Sequence, residues 1–310
     1  MILSVCLNPA LQRTLWFSHY QTNQVNRAIR KTNTVGGKGV NVARVIQQMG
    51  CKGHLLYLSG GGTGLEIERL LQSEYLSSTT IPVEISIRVC STLIGMHQNS
   101  LTEIVEESEP VTAGETKSFL KKFEELLQQS SMVILSGTVP PGFQDDIYAE
   151  CLAMCNHCQI PVVVDASKSL LLSTLPLNPF LVKPNYQELA DTMSLGGFNV
   201  ENVRTACKDL NGQGAKNILI THESEPAWFY SDKTFYRLSF PCLDRVNSIG
   251  SGDAIAAGFA VGYQQNQSLE ESICLGIACG CANVLTETAG FIHKKDVEWI
   301  LPQIQMDVIN

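Results

Sequence analysis

Short, continuous apolar runs alternate along the chain with segments whose apolar residues recur at helical spacing. The runs are typical of strands covered on both faces, and they occupy residues 2–6, 54–58, 132–135, 161–164, 180–183 and 217–220. The segments between them predict helices over 39–49, 115–129, 144–157, 200–211, 252–265, 269–286 and 295–304. This alternation predicts a three-layer α/β/α fold with a mostly parallel, Rossmann-like sheet.

Two regions break the alternation. Residues 83–107 contain two β-rich runs around "HQNS" with no room for a helix, and residues 12–34 are extended in character. We expect these regions to pair as a small β-sheet that stands off the main body as a lid. No Pro/Ser-rich linker separates the parts, so the sequence predicts one domain over 1–310 with an inserted lid.

Small, polar or turn-forming residues follow the predicted strands. They include Asn8, residues 136–138, Asp165, Asn185 and Thr221. Right-handed crossovers bring the carboxyl ends of parallel strands to one edge of a sheet, and ligands bind at that edge in open α/β sheets. The sequence therefore predicts a ligand site there.

Composition and charge narrow the choice of partners. The chain has 310 residues and a formal net charge of −8, which disfavours a nucleic-acid partner or an anionic membrane surface. No apolar run is long enough to span a bilayer, and the first residues predict a strand rather than a signal peptide. The eleven cysteines are an odd number, which favours free thiols in a cytoplasmic protein over a metal site at the cysteine clusters.

The stretch "TVGGKGVNVARV" at 34–45 joins a glycine-rich turn to a helix. Gly36, Gly37 and Gly39 would let a ligand approach the backbone closely. Lys38 places a cation at a helix start, where an anion is favoured, so a phosphate or a polyhydroxy ligand between them would suit both. The alternative is a tight turn with a solvated lysine. The Walker P-loop spacing is missing.

A second glycine cluster, "GGGTG" at 60–64, follows a strand and opens a helix. It loosely resembles a dinucleotide fingerprint, which would suggest a nicotinamide-dependent oxidoreductase. No acidic residue at a clean strand end follows about 20 residues later, so a close-packed turn that lines the site is favoured.

The stretch "LVKPNYQEL" at 181–189 has two interpretations. Asn185 is a good helix N-cap, and Glu188 three residues later would complete a capping box. Alternatively, Asn185 and Glu188 hold waters around a Mg²⁺ ion that bridges phosphates.

The stretch "NSIGSGDAIAAGF" at 247–259 is the most informative. Gly250, Ser251 and Gly252 can present backbone N–H groups to an anion at a helix start, where they would stabilise a transferring phosphoryl group. Asp253 follows in the first turn and can accept a proton from an alcohol. An N-cap role would explain Asp253 but not the three small residues before it.

Together these motifs resemble the PfkB (ribokinase-like) carbohydrate kinase family over about residues 1–300. The matching stretches are "LNPA" at 7–10, "GGKGVNVARV" at 36–45, "SGTVPPG" at 136–142, "VKPNYQEL" at 182–189 and "NSIGSGDAIAAG" at 247–258. The "GGKG" variant and "LTEIVE" at 101–106 are similar to the branch of 1-phosphofructokinases and tagatose-6-phosphate kinases, which act on sugars that already carry a phosphate.

The resemblance implies an ATP- and Mg²⁺-dependent kinase with Asp253 as the catalytic base and Gly250, Ser251 and Gly252 as the anion hole. Its implied acceptor is fructose 1-phosphate, fructose 6-phosphate or tagatose 6-phosphate. The residues implied to bind this sugar phosphate are Gln12, Gly36, Gly37, Lys38, Asn41, Arg88, Thr138 and, across a homodimer formed through the lids, Arg27. The residues implied to bind ATP are Lys183, Asn185, Thr221, Glu223 and Asn283, with Asn185 and Glu188 organising the metal through water.

Three positions depart from the family pattern. Gln12 stands where the family usually has an aspartate, and Glu223 and Lys168 stand where it usually has glycines. A carboxylate at Glu223 would lie near a polyphosphate. These departures motivate an alternative, a non-catalytic sensor of a sugar phosphate or nucleotide on the same fold.

Overall fold

The computed structural model describes residues 1–97 and 100–309. The centre of the predicted "HQNS" turn, residues 98 and 99, lies outside the described residues. The strands are Ile2–Cys6 (β1), Ala10–Phe17 (β2), Arg30–Gly36 (β3), Gly53–Ser59 (β4), Ser78–Pro82 (β5), Val89–Gly95 (β6), Ser100–Val105 (β7), Met132–Ser136 (β8), Val162–Asp165 (β9), Leu181–Val182 (β10), Asn217–His222 (β11), Glu225–Ser231 (β12), Thr234–Ser239 (β13) and Gln305–Val308 (β14).

The α-helices lie between these strands, mostly as crossovers. They are Lys38–Gln48 (α1), Gly61–Ser73 (α2), Ala113–Leu127 (α3), Ile147–His157 (α4), Lys168–Leu172 (α5), Tyr186–Met193 (α6), Val200–Gly212 (α7), Ser251–Gln264 (α8), Leu269–Asn283 (α9) and Lys294–Ile300 (α10).

A ten-stranded sheet forms the centre of the molecule, in the order β5–β4–β1–β8–β9–β10–β11–β12–β13–β14. The strands from β5 to β11 pair in parallel, and β12, β13 and β14 extend the sheet in antiparallel fashion. The predicted α/β fold with a mostly parallel sheet is confirmed. The antiparallel extension was not predicted.

Both faces of the sheet are covered, as the apolar runs predicted. Along β8, Val133 and Leu135 pack into one core with α3 and α4, whereas Met132 and Ile134 pack into the other core with α1, α8 and α9. Because successive side chains of a strand point to opposite faces, a strand between two helical layers must be apolar at every position.

A separate four-stranded sheet has the order β3–β2–β6–β7. It is built from the two regions that broke the α/β alternation, and β2 pairs in parallel with β6 over residues 11–17. The predicted small sheet is therefore present, with one face beside the carboxyl edge of the large sheet.

The predicted helix over 295–304 is too long. The α-helix ends at Ile300, and a 3-10 turn over Leu301–Gln303 follows it. Pro302 has no N–H and its ring obstructs the preceding turn, so it cannot continue an α-helix. Likewise, the helix predicted over 269–286 ends at Asn283, whose side chain bonds to neighbouring loops.

Among the helices of residues 1–97 and 100–309, none combines the length and the apolar character that crossing a bilayer requires.

Candidate active site

A cavity of about 820 Å³ opens at the carboxyl edge of the parallel strands. Its wall includes residues from the ends of β1, β8, β10 and β11, from the start of α8 and from β2 and β6 of the small sheet. The predicted edge residues Asn8, Thr138, Asn185 and Thr221 all line it. The strand order thus brings the separate motifs of the sequence to one site.

Helix α8 begins directly beneath this cavity. Gly250 is its N-cap and has a φ of +86°, and a Cβ at this position would lie 2.7 Å from the Gly290 nitrogen. Only glycine fits such a left-handed, crowded position. The first N–H groups of an α-helix have no partner within the helix. Ser251 N–H donates to Ser248 O (3.3 Å), so Gly252 and Asp253 contribute the N–H groups best placed for an anion.

Asp253 lies on the cavity wall, although its side chain is almost completely buried. Asn41 Nδ2 donates a hydrogen bond to Asp253 Oδ2 at 2.8 Å. Burial and the negative charge of Asp165 raise the pKa of Asp253 to about 7, against the opposing effects of Lys38, the Asn41 bond and Lys183. A carboxylate with a pKa near neutrality can accept a proton from an alcohol in the physiological range.

Two lysines and two carboxylates form a charged floor around Asp253. Lys38 Nζ lies 3.0 Å from Asp165 Oδ1 and 2.9 Å from Glu188 Oε1, and Lys183 Nζ lies 3.1 Å from Asp165 Oδ2. Burial disfavours the Lys38 ammonium, but the charges of Asp165 and Glu188 outweigh it and raise the pKa of Lys38 above its usual range. From the sequence, Asp165 was predicted only as an edge residue, and its pairing with both lysines was not predicted.

Lys183 reaches the floor of the cavity rather than its outer wall. Its side chain is 2% exposed, and its Nζ lies 3.2 Å from where a Cβ of Gly252 would be. This ammonium therefore sits under the loop that precedes Asp253. Its position suits support of an anion at that loop.

The capping-box interpretation of Asn185 and Glu188 is confirmed. Glu188 N–H donates to Asn185 Oδ1 (2.8 Å), and Asn185 N–H donates to Glu188 Oε2 (2.9 Å). Asn185 also forms an isolated parallel bridge with Thr221, next to the end of β10. Both interpretations of this motif can hold together, because Glu188 remains partly exposed on the cavity wall.

These residues fit a hydrated Mg²⁺ ion better than a directly coordinated one. Within residues 1–97 and 100–309, no group of three or more His, Cys, Asp or Glu side chains is placed to hold a metal. Mg²⁺ commonly keeps several waters and binds through one or two carboxylates together with substrate phosphates. Glu188, with Asn185 beside it, offers that kind of contact.

The small sheet supplies the opposite wall. Gln12 on β2 and Arg88 just before β6 line the cavity, as do Gly36 and Gly37 at the end of β3. Gln12 Nε2 donates to Thr92 Oγ1 (2.8 Å), so its Oε1 remains as an acceptor. Arg88 Nη1 makes only a long bond to Glu106 O (3.5 Å), and its buried Nε has no hydrogen-bond partner among the described residues.

The two other departures from the family pattern sit in left-handed backbone. Glu223 has a φ of 47° and Lys168 a φ of 54°, a region that glycine adopts without strain. Glu223 is exposed in the turn between β11 and β12 at the cavity wall, whereas Lys168 does not line the cavity. Lys168 therefore does not offset the charge of Glu223 inside the site.

Asn283 does not lie on the cavity surface, although the family resemblance implied that it binds ATP. Its side chain is fully buried, and Nδ2 donates to Ile249 O (2.9 Å) and Ser251 Oγ (3.1 Å). Its Oδ1 accepts from Gly290 N–H (2.8 Å). Asn283 therefore holds the loop before α8, a role that no local pattern in the sequence indicated.

Arg27 also lies outside the cavity of its own chain, in the exposed connection between β2 and β3. The expectation that it reaches a phosphate across a homodimer stays a prediction.

Comparisons with known proteins agree with this fold. Residues 6–295 match the family described as pfkB family carbohydrate kinase. The chain is 29% identical over 306 residues to the 1-phosphofructokinase of Bacillus subtilis, covering 99% of each protein. The crystal structure of phosphofructokinase-2 from Escherichia coli in complex with fructose-6-phosphate matches with a TM-score of 0.86 at 23% identity, covering 97% of this chain and 98% of that one. A carbohydrate kinase from Agrobacterium tumefaciens matches with a TM-score of 0.77 at 16% identity, covering 98% and 99%.

Proposed function

The chain belongs to the pfkB family of carbohydrate kinases, and on this premise we propose that it phosphorylates a hydroxyl of a phosphorylated ketohexose with ATP as donor. The candidate acceptors are fructose 1-phosphate, fructose 6-phosphate and tagatose 6-phosphate. The relative from Bacillus subtilis, a 1-phosphofructokinase, supports this class of acceptor.

The placement of Asp253 carries the proposal. A carboxylate with a pKa of about 7 lies at the first turn of α8, directly after the loop whose N–H groups can hold an anion. A base and an anion site on adjacent residues are what transfer of a phosphoryl group to an alcohol requires.

In the proposed reaction, the acceptor oxygen attacks the γ-phosphorus in line with the bond to ADP. The new O–P bond forms as the bond to the ADP oxygen breaks, and Asp253 takes the hydroxyl proton. The Asn41 bond occupies Asp253 Oδ2, so Oδ1 is the oxygen available to the hydroxyl. The N–H groups at the start of α8, with Lys38 and Lys183 beside them, offset the charge on the transferring group.

Glu188 and Asn185 would hold Mg²⁺ through water on the nucleotide side of the cavity. When bound, the ion neutralises phosphate charge and orients the donor. Thr221 and Glu223 lie on the same wall, and the apolar residues Leu243 and Val284 offer a surface for the base of the nucleotide.

Arg88 is the candidate for the phosphate that the acceptor already carries. Its guanidinium lines the cavity from the small sheet and is only weakly bonded within the protein. A planar guanidinium matches phosphate oxygens in a bidentate manner. Gln12 on the same sheet, and Asn41 and Thr138 elsewhere on the cavity lining, are placed for sugar hydroxyls.

We also propose that the small sheet acts as a lid and pairs with the small sheet of a second copy. Leu101 and Val105 on β7 are more than half exposed and point to the same side of the strand. Val105 pairs with Cys90, which lines the cavity, so this face, which also carries Glu103 between the two apolar residues, continues from the site. A second copy on that face would bury it and would exclude water from the transfer.

An assay of ADP release over the three ketohexose phosphates and their unphosphorylated sugars tests the proposed function. Asp253→Asn should lower turnover by about 10²- to 10⁴-fold on the preferred acceptor while ATP still binds in calorimetry. Asp209→Asn, at an exposed position of α7, should leave turnover unchanged. Tight ligand binding without turnover on any acceptor would instead support the sensor, and a preference for unphosphorylated sugars would contradict the role of Arg88.

A further inference from the structure

Arg44 is a buried cation in the middle of α1, one turn after Asn41. Its side chain is 3% exposed, and Glu74 at the end of α2 accepts bonds from Nε (2.6 Å) and Nη2 (2.8 Å). Nη1 donates to Val35 O (2.8 Å), to Asn41 Oδ1 (3.3 Å) and to Ala289 O (3.4 Å). A single guanidinium therefore connects β3, α1, α2 and the loop that precedes α10.

The bond to Asn41 determines which way the Asn41 amide faces. A guanidinium can only donate, so the atom of Asn41 that faces Arg44 must be the carbonyl oxygen, Oδ1. Asn41 Nδ2 then necessarily faces the other way, where it lies 2.8 Å from Asp253 Oδ2. Without a donor on the Arg44 side, the amide could turn over and present an oxygen to the carboxylate.

Arg44 also contacts the loop that supports the start of α8. Ala289 O accepts from Arg44, and the next residue, Gly290, donates its N–H to Asn283 Oδ1. Asn283 in turn bonds to Ile249 O and Ser251 Oγ. The base and its loop are thus connected to the same guanidinium by two short chains of hydrogen bonds.

We propose that Arg44 is a positioning residue for the transfer: it fixes the Asn41 amide so that Nδ2 donates to Asp253 Oδ2 and Oδ1 of Asp253 stays free for the acceptor hydroxyl. This inference rests on the proposed function, in which Asp253 is the base. Glu74 has a different role from Asn41. It forms the ion pair that compensates the buried charge of Arg44, and it does not contact Asn41.

The hydrogen bond from Asn41 to Asp253 determines in which direction loss of Arg44 should shift the pKa of Asp253. Donation from Asn41 favours the charged form of Asp253 and lowers its pKa relative to a site without that donor. Loss of Arg44 lets the amide turn, which removes the donor and raises the pKa of Asp253. The acid limb of the pH–rate profile should then move to higher pH by about one unit, with turnover recovering at alkaline pH.

The experiment compares kcat/KM against pH for Glu74→Gln and for the double variant Glu74→Gln with Arg44→Met. The double variant leaves no unpaired buried charge, so it removes the donors of Arg44 at the smallest cost in folding. Glu74→Gln alone should lower the Tm and leave the acid limb in place, because Arg44 still donates to Asn41. Adding Arg44→Met should move the limb upward and lower kcat at pH 6 by about 10-fold.

Repeating Arg44→Met in an Asn41→Ala background distinguishes the hydrogen bond from the charge of Arg44. No further movement of the limb supports the proposal. If Arg44→Met moves the acid limb equally in the Asn41→Ala background, Arg44 acts through its positive charge and not through the hydrogen bond. If Arg44→Met does not move the acid limb when added to Glu74→Gln, the role of Arg44 is purely structural. Either result overturns the inference. Turnover by the wild type and its loss in Asp253→Asn test the proposed function independently of Arg44.

Discussion

Lys183 Nζ lies 3.1 Å from Asp165 Oδ2, and both side chains are shielded from solvent beneath the loop that precedes Asp253. A buried ion pair is stable only when its partners are well matched, and Asp165 has a second partner in Lys38. These two ammonium groups hold the pKa of Asp165 below its usual range against the effect of burial, so Asp165 stays charged. Its fixed negative charge contributes to the raised pKa of Asp253.

The reaction should depend on pH through Asp253. The deprotonated form is the base, and its pKa in the free protein is about 7. We therefore expect kcat/KM to rise with pH through about 7 and to fall about tenfold per pH unit well below it. A profile measured with both the donor and the sugar phosphate well below saturation checks this, because it reports the free protein. A flat profile between pH 5.5 and 8 would contradict the assignment.

Asp253→Asn should stabilise the fold, and more so at higher pH. The folded-state pKa of Asp253 is raised above its unfolded value of about 3.9, so the stability linked to its protonation is complete below that value. This stability is lost as pH rises through about 7, where the buried carboxylate must be charged. The Tm of the variant should exceed that of the wild type by several degrees at pH 8. The difference should be much smaller near pH 4.5, and an equal difference at both pH values would contradict this account.

Arg88→Ala should weaken binding of the sugar phosphate and leave binding of ATP nearly unchanged. Arg88 would donate charge-assisted hydrogen bonds to the phosphate of the acceptor. Their loss should lower kcat/KM for the sugar phosphate by about 10- to 100-fold. The KM for ATP should change little, because the guanidinium lies on the small-sheet side of the cavity. Arg13→Ala on β2 is a matched control, since Arg13 does not line the cavity. Equal losses for both acceptor and donor would argue for general damage to the lid.

Gly250→Ala should damage both the fold and the activity. Its φ of +86° and the predicted 2.7 Å approach of a Cβ to Gly290 would force the loop before α8 to move. We expect a loss of about 1–3 kcal/mol in the free energy of unfolding and a drop of at least about 100-fold in turnover. Gly212→Ala in α7 is the control, because a Cβ there meets nothing within 4 Å. Denaturant unfolding and the ADP assay measure the two effects.

Leu101→Glu should convert the proposed dimer into monomers. The charge would lie on the face of β7 that includes Val105, where burial against a second copy would be unfavourable. Ile104→Glu places the same charge on the opposite side of the strand at a similarly exposed position. Light scattering after size exclusion should give a monomer for the first variant and a dimer for the second. The reverse result would place the contact on the other face.

The sequence predicted the parallel strands and the cavity edge because their signals are local. Continuous apolar runs indicate strands covered on both faces, and the small residues before Asp253 indicate an anion site at a helix start. The hairpin of β12 and β13 was not predicted from the sequence. Its turn residues, Asp232 and Lys233, adopt φ values of 47° and 62°, but the turn lacks the glycine that usually marks such a hairpin.

The ion-pair and hydrogen-bond partners of the charged residues could not be predicted from local sequence patterns. Lys38 and Asp165 are 127 positions apart, and Asn41 and Asp253 are 212 apart. Only the strand order brings them together. For the same reason, the family resemblance implied that Asn283 binds ATP but could not show that its amide is fully used by the loops around it.

The four charged side chains of the floor nearly cancel one another's charge. Lys38 and Lys183 carry two positive charges, and Asp165 and Glu188 carry two negative ones, so the four groups sum to zero before Asp253 is counted. These four groups therefore offer little surplus positive charge to attract the proposed polyphosphate donor. For the proposed donor ATP, we therefore expect a lower affinity for the free nucleotide than for the nucleotide already paired with a divalent cation, because the cation balances the phosphate charge that these groups do not.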